Sequence, residues 1–171
     1  VALSGFSNCG DLNPQKYLRR IRYGNKIKQN NNASNEFAFE ILFDYGDITG
    51  PSLESAEIAI PNADAGNTLT GAPIRPDPFS SFRAGFEIRT LRRCRRILII
   101  HHIPDTAEAV LVKSVDFEYR EDDYTNISFL KKVSVCGFRR EGCKYIRSSL
   151  PPLEFSYSSF APENQRYHSV K

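Results

Sequence analysis

The segment EFAFEILFDYG, residues 36–46, sorts its side chains by parity: Phe37, Phe39, Ile41, Phe43 and Tyr45 on one side, Ala38, Glu40, Leu42 and Asp44 on the other. A period of two is the signature of an extended chain, whose successive side chains point to opposite faces. It predicts a strand with its aromatic side as the strongly buried one. Upstream, Tyr17, Arg19, Ile21 and Tyr23 alternate with Leu18, Arg20 and Arg22 until Gly24-Asn25 breaks the pattern. This predicts a shorter strand paired with the first across the KIKQNNNASN loop.

The rest of the chain repeats the theme. FEIRTLRRCRRILIIHHI, AVLVKSVDFEYR, ISFLKKVSVCGFRR, YIRSS and PLEFSYSSF are rich in β-branched and aromatic residues and bounded by Pro, Asp or Gly. Their connections, IPDTAE, EDDYTN and EGC, are short enough to make antiparallel neighbours of consecutive strands. No segment sustains an apolar period of 3.6 residues with caps. The fold class expected is mainly β, with antiparallel sheets and long loops. Residues 47–78 shift to Gly, Pro, Ser, Asn and Asp and read as a long surface loop with at most a brief strand at AEIAI. Two blocks are expected, 1–85 and 86–171, which can fold as one unit.

Composition narrows the function. With 171 residues the chain can build a core without staples, and no apolar run reaches the ~20 residues that spanning a bilayer requires. Membrane insertion is not expected. Lys and Arg number 23 against 20 Asp and Glu, so nucleic-acid affinity would need the cations gathered on one face. The chain contains no Met, even at position 1, which suggests an excised piece of a longer protein.

The basic stretch LRRCRR, residues 91–96, makes the loudest chemical claim. Read as a strand, it sends Arg92, Cys94 and Arg96 one way and Leu91, Arg93 and Arg95 the other, dividing the charge between faces. The segment DFEYREDD offers Asp116, Glu118, Glu121, Asp122 and Asp123 against a lone Arg120. A structural charge cluster of Arg92, Arg93, Arg95 and Arg96 with Asp116 and Glu118 is therefore expected, as cross-strand pairs of opposite charge. The alternative is a stand-alone binding module using Arg92–Arg96 for nucleic acid or an acidic protein.

His101 and His102 are adjacent and would face opposite sides of a strand, which disfavours a shared metal ion. Cys136 and Cys143 enclose six residues around a turn, so a disulfide is geometrically open, with two reduced, half-buried thiols as the alternative. No G-x-S-x-G elbow, phosphate-binding Gly loop or metal motif is present. No catalytic, cofactor or metal residue is expected, and the chain is not expected to be an enzyme.

Taken in order, YLRRIRYGN, FEILFDYG, RPDPFSSFRAGFEIRTLRRCRRILIIHHIP, SVDFEYR, ISFLKKVSVCGFRR and SLPPLEFSYS resemble the middle region of the B component of Tc-type insecticidal toxin complexes. That region lies between the β-propeller and the Rhs repeats, and the likeness spans nearly all of the chain outside 47–74. The resemblance implies a secreted parent whose B component forms, with an Rhs-repeat C component, a β-rich shell around a cytotoxic segment. The propeller of such a parent docks the pore-forming A component. Similar N-terminal regions are also fused to other effectors, ADP-ribosyltransferases among them, so the cargo is not implied. Here Leu91, Arg92 and Arg93 precede the Cys-Arg-Arg, and ILII precedes the His pair, which departs from the family pattern while keeping the alternation.

Overall fold

The computed structural model describes residues 15–27, 33–48, 71–103, 109–142 and 144–158. Among these, every regular element is a strand: β1 (Arg20–Ile27), β2 (Ala33–Asp44), β3 (Phe79–Ser81), β4 (Ile88–Thr90), β5 (Arg96–His102), β6 (Ala109–Glu121), β7 (Ser128–Glu141), β8 (Lys144–Ser149) and β9 (Leu153–Glu154). The mainly β, antiparallel class holds. One seven-stranded sheet runs β1-β2-β5-β6-β7-β8, with β9 also paired to β7, while β3 and β4 form a separate hairpin. The pairing of β2 with β5 joins residues from both sides of position 85 in one ladder. The AEIAI segment lies outside the described residues.

Two expectations about strands need correction. FEIRTLRRCRRILIIHHI is not one strand: β4 ends at Thr90 and β5 begins at Arg96. Between them the backbone bonds to side chains and to single carbonyls instead of to a ladder. Leu91 N and Arg92 N both donate to Tyr17 Oη, at 2.7 and 3.2 Å, and Cys94 O accepts from Tyr119 Oη at 2.9 Å.

The second correction concerns which face of β2 is sealed. Glu40, Leu42 and Asp44 are at most 2% exposed, whereas Phe37, Phe39, Ile41 and Phe43 are only half-buried. The ladders explain this. Leu42 pairs with Leu98, Leu98 with Ser114, and Ser114 with Cys136, all fully buried on the same side. Leu42, Ile48, Leu98, Ile100 and Leu111 form the core there, with Ala109, Phe138 and Tyr145 against it. Burying each such aliphatic side chain contributes about 1.5–3 kcal/mol.

Two bulges keep this face continuous. Ile99 faces Lys113 but Ile100 faces Leu111, so Val112 is an extra residue in β6 that changes the parity of the strand. Leu111 and Ser114 thereby share the sealed face. Glu118 faces Lys132 but Tyr119 faces Leu130, so Lys131 plays the same part in β7.

Candidate functional site

The sealed face carries charges where a core would be expected to be apolar. Glu40 sits mid-strand in FAFEILF, and its carboxylate meets two arginines and a histidine from the neighbouring strands. Arg20 Nε lies 3.0 Å from Oε1, Arg22 Nε 3.3 Å from Oε2, and His102 Nε2 3.2 Å from Oε2. An isolated carboxylate at this depth would be costly; the two arginines of β1 and the His102 hydrogen bond from β5 make it tolerable.

Asp44, at the end of β2, forms the second cluster. Its Oδ2 receives Arg96 Nε at 2.5 Å, and its Oδ1 accepts from Gly46 N at 2.8 Å and Ile48 N at 3.2 Å. Arg96 Nη2 donates to Ile48 O at 3.3 Å, closing the ring. One aspartate thus ends a strand, shapes the turn after it and neutralises an arginine from the next strand. Gly46 has φ +91°, and a Cβ there would come within 2.9 Å of Pro73, so only glycine fits this turn. Beside it, Arg19 pairs with Asp47 at 2.8 Å and donates to Phe43 O at 2.8 Å, while Tyr45 Oη donates to Leu18 O at 3.0 Å.

A third cluster ties the RPDP segment to the start of β7. Arg75 grips Asp77 through two bonds of 2.8 and 2.9 Å, and Asp77 accepts from Ser128 N at 2.8 Å and Ser128 Oγ at 2.7 Å. Arg93 also donates to Ser128 Oγ and lies 4.3 Å over the Tyr119 ring. The Arg75 bonds, joined by those of Ser128, hold the Asp77 carboxyl well below the usual carboxylate range. Burial, reinforced by the Asp44 carboxylate, pushes the Cys94 thiol up to about 11. Burial, with Cys94 and Tyr17 adding to it, pushes the Tyr45 hydroxyl up to about 12. Through the neutral range Cys94 and Tyr45 stay protonated and Asp77 stays ionised, so they serve as fixed donors and acceptors.

The expected Arg–acid cluster is placed differently from its sequence reading. β5 and β6 do pair, with Arg96 opposite Asp116, but the Arg96 guanidinium goes to Asp44. Asp116 accepts from Ser114 Oγ at 2.7 Å, and Glu118 pairs with Lys131 at 2.6 Å. Of the acids in DFEYREDD, Glu121 reaches the stretch, 3.7 Å from Arg93. Arg92 has a buried Nη1 without a bonded acceptor, and Arg95 is exposed. His102 takes Glu40 on the sealed face, while His101 packs edge-on against Phe39 at 4.9 Å on the other. Cys136 is a buried cysteine opposite Ser149 in the ladder, and its Sγ accepts from Arg147 at 3.0 and 3.2 Å. Its suggested mate, Cys143, lies outside the described residues. Sequence reasoning missed Glu40, Arg20 and Arg22; a lone carboxylate inside an apolar strand, next to a strand with alternate arginines, was the available signal.

The described sheet is antiparallel, with one face sealed by aliphatics and ion pairs and the other apolar and half-covered. Residues 7–103 match the family described as Salmonella virulence plasmid 65kDa B protein, and the chain belongs to that family. It is 33% identical over 131 residues to the mono(ADP-ribosyl)transferase SpvB of Salmonella typhimurium, which covers 71% of this chain and 21% of that protein. The fold is similar to the Photorhabdus luminescens Tc holotoxin pore, with a TM-score of 0.59, 27% identity, and coverage of 86% of this chain and 7% of that one. It is also similar to TcdB2-TccC3-TEV, with a TM-score of 0.61, 28% identity, and coverage of 85% and 7%. The chain is thus related to Tc toxin chains as well as to SpvB. It spans about a fifth of the length of the curated relatives. Those relatives are named mono(ADP-ribosyl)transferases, which overturns the expectation that the chain is not an enzyme, although the match covers 21% of their length.

Proposed function

We propose that this chain is a wall segment of a secreted, Tc-like toxin assembly, helping to form the shell that encloses and delivers a cytotoxic effector. The observation that carries the reading is the likeness to TcdB2-TccC3-TEV over 85% of the chain, combined with a sheet whose second face is apolar and half-open. The proposed partners are an Rhs-repeat C component and a pore-forming A component, engaged through the parent chain. Blocks 1–85 and 86–171 act as one unit in this reading, because β2 and β5 share a ladder.

The basic stretch gives the binding-module reading little support. Arg96 is taken up by Asp44 and Arg93 by Tyr119 and Glu121, which leaves no continuous cationic track of the kind that follows a phosphate backbone. The wall reading is tested by purifying the full parent with its C component and exposing the complex to protease. The cargo segment is expected to survive under conditions that digest it when free. Digestion at the free rate would refute the wall.

A further inference from the structure

The β3–β4 hairpin touches no other described strand, yet it is firmly rooted. At its base Arg75 N donates to Leu91 O at 2.9 Å, tying the incoming leg to the outgoing one. The Arg75–Asp77 fork and the two Ser128 bonds then anchor that base to the main sheet. The arm turns tightly, with Gly85 N donating to Phe82 O at 3.0 Å and Gly85 at φ +83°. Its phenylalanines are more than half exposed: Phe79, with the Arg75 guanidinium 4.9 Å over its ring, 52%, Phe82 66% and Phe86 54%, with Ile74 beside the base at 62%. At the tip, Arg83 has no acidic partner among the described residues, whereas Glu87 is held by Ser80 at 2.6 Å.

We propose that this arm is a docking plug, seated in an apolar surface of the parent protein outside the described residues, with a carboxylate there facing Arg83. Three exposed phenylalanines carried by one anchored hairpin mark an interaction site, since so much exposed apolar surface is unfavourable in water. The parent is the occupant favoured because the chain spans only 21% of its SpvB relative and 7% of the Tc chains whose fold it shares, so most neighbouring surface lies elsewhere in such proteins. The inference rests on the wall-segment reading and deepens it by naming a contact.

The test uses the full-length parent. Trypsin cleavage after Arg83 is expected to be slow, and the F82S/F86S double variant is expected to be cut at least about tenfold faster with an unchanged circular dichroism spectrum, because cleavage follows the open population. Cleavage of the wild type at the rate of an unstructured peptide overturns the plug. So does equal protection in the variant, which would mean that something other than the phenylalanines shields the turn. Binding of the parent to phosphatidylserine vesicles, lost in F82S/F86S, would assign the arm to lipid instead and also overturn it. If the variant does not fold, hydrogen exchange of the wild-type amides at 82–86 decides, with slow exchange expected and free-peptide rates overturning the plug. Lost cargo protection with slow exchange at 82–86 would defeat the wall and leave the plug standing.

Discussion

The two faces of the large sheet differ in a way that reverses the usual association of charge with water. The sealed face holds Glu40, Asp44 and Arg96 among leucines, while the half-open face presents Phe39, Ile41, Phe43, Ile97 and Ile99. Burial in this sheet therefore follows partnership across strands rather than hydropathy. A charge is accepted inside when adjacent strands bring its complement, and an apolar residue stays half-open when no described element lies over it.

The most damaging change should be Asp44→Ala, which strands Arg96 and unties the turn at Gly46. A loss of about 3–5 kcal/mol is expected from denaturant midpoints, as for other buried pairs broken on one side. A loss no larger than that of a surface mutation would break the contrast. Next come two sequence neighbours on opposite faces. Leu98→Ala should cost about 2–5 kcal/mol, and Ile99→Ala roughly half as much, since less of it leaves water on folding. Equal costs would show that the open face is covered in solution.

Asp77 supplies a pH test. Its folded pKa is depressed below the ordinary 3.8, so the unfolded chain binds the proton first as pH falls. The stabilisation is full above the unfolded value and drains away as pH drops through it toward the folded one. Denaturant midpoints of the wild type should fall below about pH 4, and Asp77→Asn should be less stable at neutral pH with a shallower acid decline. An unchanged acid limb would remove Asp77 from its clamp. The smallest effect is expected from Lys131→Ala: its pair with Glu118 is half-exposed on both sides, and stability should not change measurably. Cys94, with its thiol raised to about 11, should react slowly with iodoacetamide at pH 8 until the chain is unfolded.

Much of this architecture was legible because alternation is a local property. FAFEILF, the ILII run before the His pair, AVLVKSVDFEYR and ISFLKKVSVCGFRR all announced their strands, and short connections announced their antiparallel order. Parity separates two faces without saying which is sealed, and the aromatic side of β2 was the natural but mistaken choice. The sealing side was decided by Leu98, Leu111 and Ser114, which lie more than fifty residues away in the chain. Arg96 found Asp44 instead of Asp116 for the same reason: both stand opposite it, on β2 and β6, and only the assembled sheet makes Asp44 the deeper of the two. The stretch 91–95 looked like strand by composition, yet Tyr17 and Tyr119 claim its backbone groups from elements distant in sequence.

Val112 and Lys131 are each one residue more than their ladders need. An inserted residue bends its strand and increases the local right-handed twist, so curvature is written into the chain as surplus length. Lys131 O also receives Phe155 N at 2.9 Å, which lets the returning chain close onto the bent strand. The bend of this sheet is owed in part to two residues that have no register partner in the β5–β6 and β6–β7 ladders. Deleting either would restore a regular ladder and take the bend out of its strand while leaving Leu111 and Ser114 on the same face.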